Sequence, residues 1–285
     1  MRKLISYFFD DYKFNTQSFW FKRLLYTFVI IKCVYWLCFY NILFGENSIV
    51  FSQPKSINFV KDLAFYLYNS CSTNLGYKFI TGAIALCILP FIIKKLYFIS
   101  DFILWLLIIN ISNKIYPTLT GGDYLLHQFL FFNCFLYHAV RCRSAINNNI
   151  KYIKTVLHNF ASIAIIIQIC LVYFLSAAAK LSSPQWMYGS AVATIMQIQH
   201  YSIYPLSSIK PNFFTTLLNY TVLFYQLLFT LLIWFKKLKT PLLIIGILMH
   251  LYIAFIMGLM SFGCIMILGY VYFWDFKAKE KSLLN

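Results

Sequence analysis

The sequence predicts an all-α fold, a polytopic transmembrane helical bundle of about eight spans with both termini cytoplasmic. Three observations predict it. Hydrophobic residues make up 61% of the 285 and charged residues only 11%, against roughly 25% charged in a soluble domain. The mean hydropathy is +0.72. The polar residues are gathered into short segments between apolar runs, and a run of about 20 residues is enough to cross a bilayer.

The candidate spans, in order, are 24–44, 78–93, 97–116, 122–140, 156–179, 213–235 and 241–274. The first carries a deep lysine, Lys32, which either snorkels or pairs with an acid. The second is short and holds Pro90, which softens its boundaries. The last is 34 residues long; a straight helix of that length reaches about 50 Å, well beyond the hydrocarbon core. It is expected to break into two around Gly258 to Gly263, which makes eight crossings. The chain then divides into a cytoplasmic amphipathic N-terminus over 1–22, a transmembrane domain over 23–275 and a basic cytoplasmic tail over 276–285.

Charge supports this orientation. With the N-terminus inside, the inner segments hold 17 of the 24 Lys and Arg, and the outer ones hold Lys55, Lys61, Lys78, Lys114, Lys180 and Lys210. Basic residues favour the cytoplasmic side, and seven crossings would put the basic tail outside. The formal net charge of +16 therefore reads as orientation and contact with anionic headgroups, not nucleic-acid binding. No basic face with interleaved aromatics lies outside the apolar runs. The lipid bilayer is the first partner.

Two outer segments have structure of their own. Within 45–77, Ile57, Val60, Leu63, Ala64 and Leu67 recur at helical spacing, as in a short interfacial helix. Residues 185–200 are too short to span and read as a re-entrant or interfacial helix beside Lys180. Six of the eight cysteines lie in apolar runs, where they act as small hydrophobes. The loop residues Cys71 and Cys142 fall on opposite sides, so no disulfide framework is expected. No cleavable signal peptide is expected in the acid-containing first twenty residues. Walker, GxGxxG, HExxH and GxSxG motifs are absent, and no metal site is expected.

A few polar residues lie in or at the edge of spans, where each needs a partner. In TGGDYLLHQF, Asp123 and His127 are four apart and share a helix face, with Cys134 and His138 continuing that stripe. Asp123 reads either as a helix cap or as a carboxylate facing a polar cavity. Lys180 shares a face with Tyr173, Ser176 and Ala177 and either snorkels to headgroups or serves as a buried base. His250, in LLIIGILMHLYIAFIMGLMSFG, reads as a packing residue or a catalyst. Gln168 and Gln226 are expected to bond across helices. The orientation puts Asp123, His127, Lys180 and His250 toward the outer side, and similar depth predicts one outward-opening cavity.

Four segments in order carry a resemblance: FKRLL, then SNKIYPTLTGGDYLL, VYFLSAAAKLSSPQWMYGSAV and GILMHLYIAFIMGLMSFG. Over about residues 20–275 they resemble the HTTM superfamily, the membrane domain shared with vitamin K-dependent gamma-carboxylase. The branch it most resembles is the sporulation-delaying-protein B type of bacteria, through the GG-acid, W-x-x-G-x-A and H-x7-G-x-x-S-F-G segments. The resemblance implies a multi-pass protein of the cell inner membrane that assists maturation or export of a secreted peptide together with a small accessory protein. It equally implies a carboxylase-type alternative: a quinone as cofactor, Lys180 as the base, Asp123, His127 and His250 at the site, and Tyr173 and Trp186 against the cofactor. This chain departs from the carboxylase in having Ala179 where that family pairs two lysines and Asp123 near one of its histidines, and no counterpart of its lumenal domain is expected within these 285 residues. A transporter or structural membrane partner without chemistry is the third reading.

Overall fold

The computed structural model describes residues 12–45, 48, 73–92, 97–137, 148–198 and 210–276. Among them the chain is helical, with no strand. The expected interfacial helix within 45–77 falls almost wholly outside the described residues, as does His138. The chain forms two compact units that divide between Ser162 and Ile163.

The first unit contains α1 (Asn15–Cys38), the short α2 (Tyr40–Phe44), α3 (Thr73–Ile92), α4 (Tyr97–Lys114), α5 (Gly121–Asn133) and the start of α6 (Asn148–Leu181). α3 packs on α1 and α4, and α4 on α5. α1 starts well before the expected span at 24. Ser18, Phe21 and Lys22 already face its buried side, so the helix runs unbroken through residue 22. α5 is shorter than the expected span 122–140: it ends at Asn133 in a turn at Cys134. The chain beyond it is held by the ammonium of Lys22, which donates to the Leu136 carbonyl at 3.3 Å. The stripe expected to continue through Cys134 and His138 is therefore cut.

The second unit contains the rest of α6, the short α7 (Pro184–Met187) and α8 (Ala191–Gln197), then α9 (Phe213–Leu232), α10 (Lys236–Phe255), α11 (Met260–Gly269) and a 3₁₀ turn at Tyr270–Phe273. α6 stops ahead of Pro184, as the extended Ser183 (φ −99°, ψ 123°) requires of a residue preceding proline. α9 opens on a reciprocal cap. The Asn212 side chain accepts from the Thr215 N–H at 3.0 Å, and Thr215 Oγ1 accepts from the Asn212 N–H at 3.0 Å. The expected break in the last apolar run occurs between α10 and α11, where Gly258 has φ +72°. Gly263 does a different job. A Cβ there would collide with the His250 carbonyl and the Ala254 side chain, so this glycine lets α11 lie directly on α10.

Among the described residues three helices are long and apolar enough to cross a membrane: Lys151–Leu181, Phe213–Leu232 and Lys236–Phe255. In the last only 22% of the most apolar window is buried within the protein. The rest is apolar surface that water would not solvate, and the chain is accordingly a helical membrane protein. The other expected spans differ for a physical reason. α1 and α4 are interrupted by Lys22, Arg23, Lys32 and Asp101, and α5 has only 13 residues.

Candidate functional site

Ion pairs organise the polar interior of the first unit. Lys22 on α1 and Asp101 on α4 meet at 2.7 Å, with side chains only 3% and 1% exposed. The Tyr26 hydroxyl, one turn along α1, donates to the other oxygen of the same carboxylate. Ten residues beyond Lys22, Lys32 lies 2.5 Å from Asp123 Oδ1, with its ammonium 5.1 Å from the centre of the Trp36 ring. The second Asp123 oxygen accepts from the Thr120 N–H at 2.7 Å and from the Thr120 hydroxyl at 2.9 Å. Asp123 is thus both the cap of α5 and the counterion of Lys32. His127, one turn further on, has Nε2 3.1 Å from Ser112 Oγ.

A histidine that sequence reasoning did not select fixes the start of α1. His158 Nδ1 accepts from the Tyr137 N–H at 3.2 Å, which leaves the proton on Nε2 to donate to the Lys13 carbonyl at 2.7 Å. Asn159 Oδ1 accepts from the Lys13 N–H at 2.7 Å. These contacts are structural: each satisfies buried backbone that the bilayer or the protein interior would otherwise leave unpaired.

The second unit is built differently. Its stretch of sequence, 163–277, contains a single acid, Asp275, and Lys239 holds that carboxylate at 2.7 Å. Lys180, at the end of α6, has no carboxylate partner in its own unit. Its ammonium donates to Ser176 Oγ at 2.7 Å, Ser176 donates on to Gln226 Oε1 at 3.2 Å, and the Trp186 ring lies 5.0 Å from the amine. Small residues carry it there: Ala177 on the same helix is fully buried.

The segment after Lys180 is shaped to present Trp186. Gly189 adopts φ +75° and any Cβ there would lie 2.7 Å from the Thr216 methyl, so the W-x-x-G spacing places a left-handed turn against α9. The Trp186 carbonyl accepts from the Asn219 amide at 2.9 Å and the Met187 carbonyl from the Tyr220 hydroxyl at 2.8 Å. The region expected to be one short interfacial helix is two helical pieces around that glycine.

Lys180, Ser176, Trp186 and Gln226 line a cavity of about 600 Å³, within the range of small-molecule sites of roughly 300–1,000 Å³. The remaining walls are mainly aliphatic and aromatic side chains of α8, α9, α10 and α11, among them Ile195, Val222, Tyr225, Met249 and Phe262. Among the described residues no Asp or Glu lines it.

His250 and Tyr173 stand behind this wall. His250 Nε2 is 2.7 Å from the Tyr173 hydroxyl, which also meets the Tyr270 hydroxyl. Tyr225, whose ring does line the cavity, has its hydroxyl 3.4 Å from Tyr270 and donates to the Leu242 carbonyl at 3.0 Å. Gly246 makes room for the two phenols, since a Cβ there would collide with both hydroxyls. His250 is 1% exposed.

Of the residues singled out from sequence, Lys180 and Trp186 therefore share a cavity. Tyr173 and His250 share a hydrogen bond beside it. Asp123 and His127 belong to the first unit, where Asp123 neutralises Lys32. Sequence reasoning missed the Lys22–Asp101 pair, although an acid inside the apolar run 97–116 was a signal. It also missed Tyr225 and Tyr270, which no motif marks. Among the described residues no group of three His, Cys, Asp or Glu is placed to hold a metal ion. No family model, curated protein or solved structure matches this chain.

Proposed function

We propose that this membrane protein is an HTTM-like accessory factor, of about eight spans in the inner membrane, that assists maturation or export of a secreted peptide through the cavity at Lys180. One observation carries the proposal: in an apolar chamber of ligand size, the sole cation on the wall among the described residues lacks a carboxylate partner in its unit. Charges in such settings are costly and mark function. The resemblance over 20–275 supplies the peptide and a small accessory protein as partners.

The test is Lys180→Ala in the native host, with mass analysis of secreted peptides and immunoblotting of the membrane fraction. Loss of a mature peptide at unchanged protein level is expected. An unchanged secretome contradicts the proposal.

The second reading is a quinone-dependent enzyme of carboxylase type, favoured by the indole of Trp186 next to the amine. The residues present fit a flat apolar ring bearing a hydroxyl: Trp186 and Phe262 supply aromatic lining, and Lys180 supplies a nitrogen within the wall. A hydroquinone, when bound, supplies an acidic hydroxyl to start the chemistry. Lys180 in its neutral form would accept that proton, with Ser176 and Gln226 positioning the amine. Co-purification of a quinone, lost in Lys180→Ala, favours this reading over the first.

A further inference from the structure

We propose that the cavity of the second unit takes a single-chain amphiphile with a carboxylate head, its head on Lys180 and its chain along α9 and α10. This deepens the reading above and rests on the same cavity.

The head group follows from the donors on the wall. The hydroxyl hydrogens of Ser176, Tyr225 and Thr221 are already engaged, on Gln226 Oε1, the Leu242 carbonyl and the Leu217 carbonyl. An ammonium carries three donors, and the contact with Ser176 uses one of them. Lys180 therefore brings positive charge and further N–H donors to the wall, which it shares with Gln226, whose Oε1 accepts from Ser176. Among the described residues no acid lines the walls, and the unit's single acid is held by Lys239. A cation in an apolar enclosure without a counterion is unfavourable, and an anionic occupant relieves that cost. A carboxylate accepts a charge-assisted hydrogen bond from the ammonium.

The chain follows from the remainder of the walls. Met196, Met249 and Met257 contribute three unbranched, polarizable side chains, which adapt to a flexible alkyl or apolar peptide chain better than branched residues do. A free fatty acid and the C-terminal carboxylate of an apolar peptide share this chemistry.

The test uses the purified full chain in detergent, with oleate and oleyl alcohol as probes in equilibrium binding, for the parent protein and for Lys180→Met, Lys180→Arg and Met249→Trp. The parent is expected to bind oleate about tenfold more tightly than the alcohol. Lys180→Met should lose that preference, Lys180→Arg should keep it, and Met249→Trp, by filling the chamber, should weaken both probes. Equal binding of acid and alcohol by the parent, or an acid preference that survives Lys180→Met, overturns the proposal. Competition by an apolar decapeptide with a free C-terminus, but not by its amide, adds the peptide terminus as a natural occupant. Competition by neither form restricts the site to fatty acids. A Lys180→Met protein that loses oleate selectivity while peptide secretion continues removes the peptide-maturation reading and leaves this site. Secretion that depends on Lys180 in a protein indifferent to oleate removes this ligand class and leaves that reading.

Discussion

The two units treat a lysine in an apolar setting in opposite ways. In the first, Lys22 and Lys32 each meet a buried carboxylate, Asp101 and Asp123, at 2.7 and 2.5 Å. In the second, Lys180 meets a hydroxyl and an indole and faces a cavity. The first arrangement closes an electrostatic account within the fold. The second leaves a charge to be satisfied by something else. A lysine in lipid is thus not by itself a functional mark; what separates the two kinds is whether the fold supplies the counterion.

The sharpest way to break this comparison is to remove one member of an ion pair. Lys22→Met leaves Asp101 buried without its counterion, and Asp123→Ala removes the carboxylate that neutralises Lys32. Each is expected to destabilise by about 3–5 kcal/mol, the usual cost of an orphaned buried charge, read as a lowered melting temperature in detergent. The double variant Lys32→Met with Asp123→Leu should recover much of the loss, although the α5 cap is gone. Melting unchanged in the single variants would mean that these pairs carry no weight.

Within the second unit the next effect is steric. Gly246→Val would push the Tyr225 and Tyr270 hydroxyls apart, and overpacking of this kind costs about 1–3 kcal/mol. Because Tyr225 lines the chamber, oleate affinity should fall together with the melting temperature. Tyr173→Phe is a gentler probe of the same cluster. It removes the group that bonds His250, leaving a buried imidazole nitrogen unsatisfied at a cost of about 1–3 kcal/mol, with the chamber lining untouched. Gly189→Ala forces an L-residue to φ +75°, a cost of about 1–2 kcal/mol, and should displace Trp186 and weaken binding of either probe.

Much of the helical layout was legible in the sequence because apolar runs and glycines speak locally. The break at Gly258 followed from a run too long for one crossing, whereas the left-handed turn at Gly189, which splits the single helix expected over 185–200, was not read from the sequence. The start of α1 at Asn15 was not legible, because charge at Lys22 and Arg23 looked like a cytoplasmic boundary. Asp101, which pairs with Lys22, lies 79 residues away. For the same reason the sequence could say that Lys32 needed a partner but could not name Asp123. At the site, Lys180 and Trp186 were visible as a motif. The cluster of Tyr173, Tyr225, Tyr270 and His250 was not, since only the packing of α6, α9 and α10 around Gly246 brings those rings together.

The central claim is that Lys180 serves an occupant and not the fold, and one paired measurement tests it most directly: thermal melting and oleate binding of Lys180→Met beside Lys32→Met. Lys180→Met is expected to melt within about 0.5 kcal/mol of the parent, because it breaks no ion pair and its lost hydrogen bond to Ser176 lies on a partly exposed wall, while losing its preference for oleate over the alcohol. Lys32→Met should melt far lower. A Lys180→Met protein that melts as low as Lys32→Met, or that keeps the full preference for oleate, would contradict the claim.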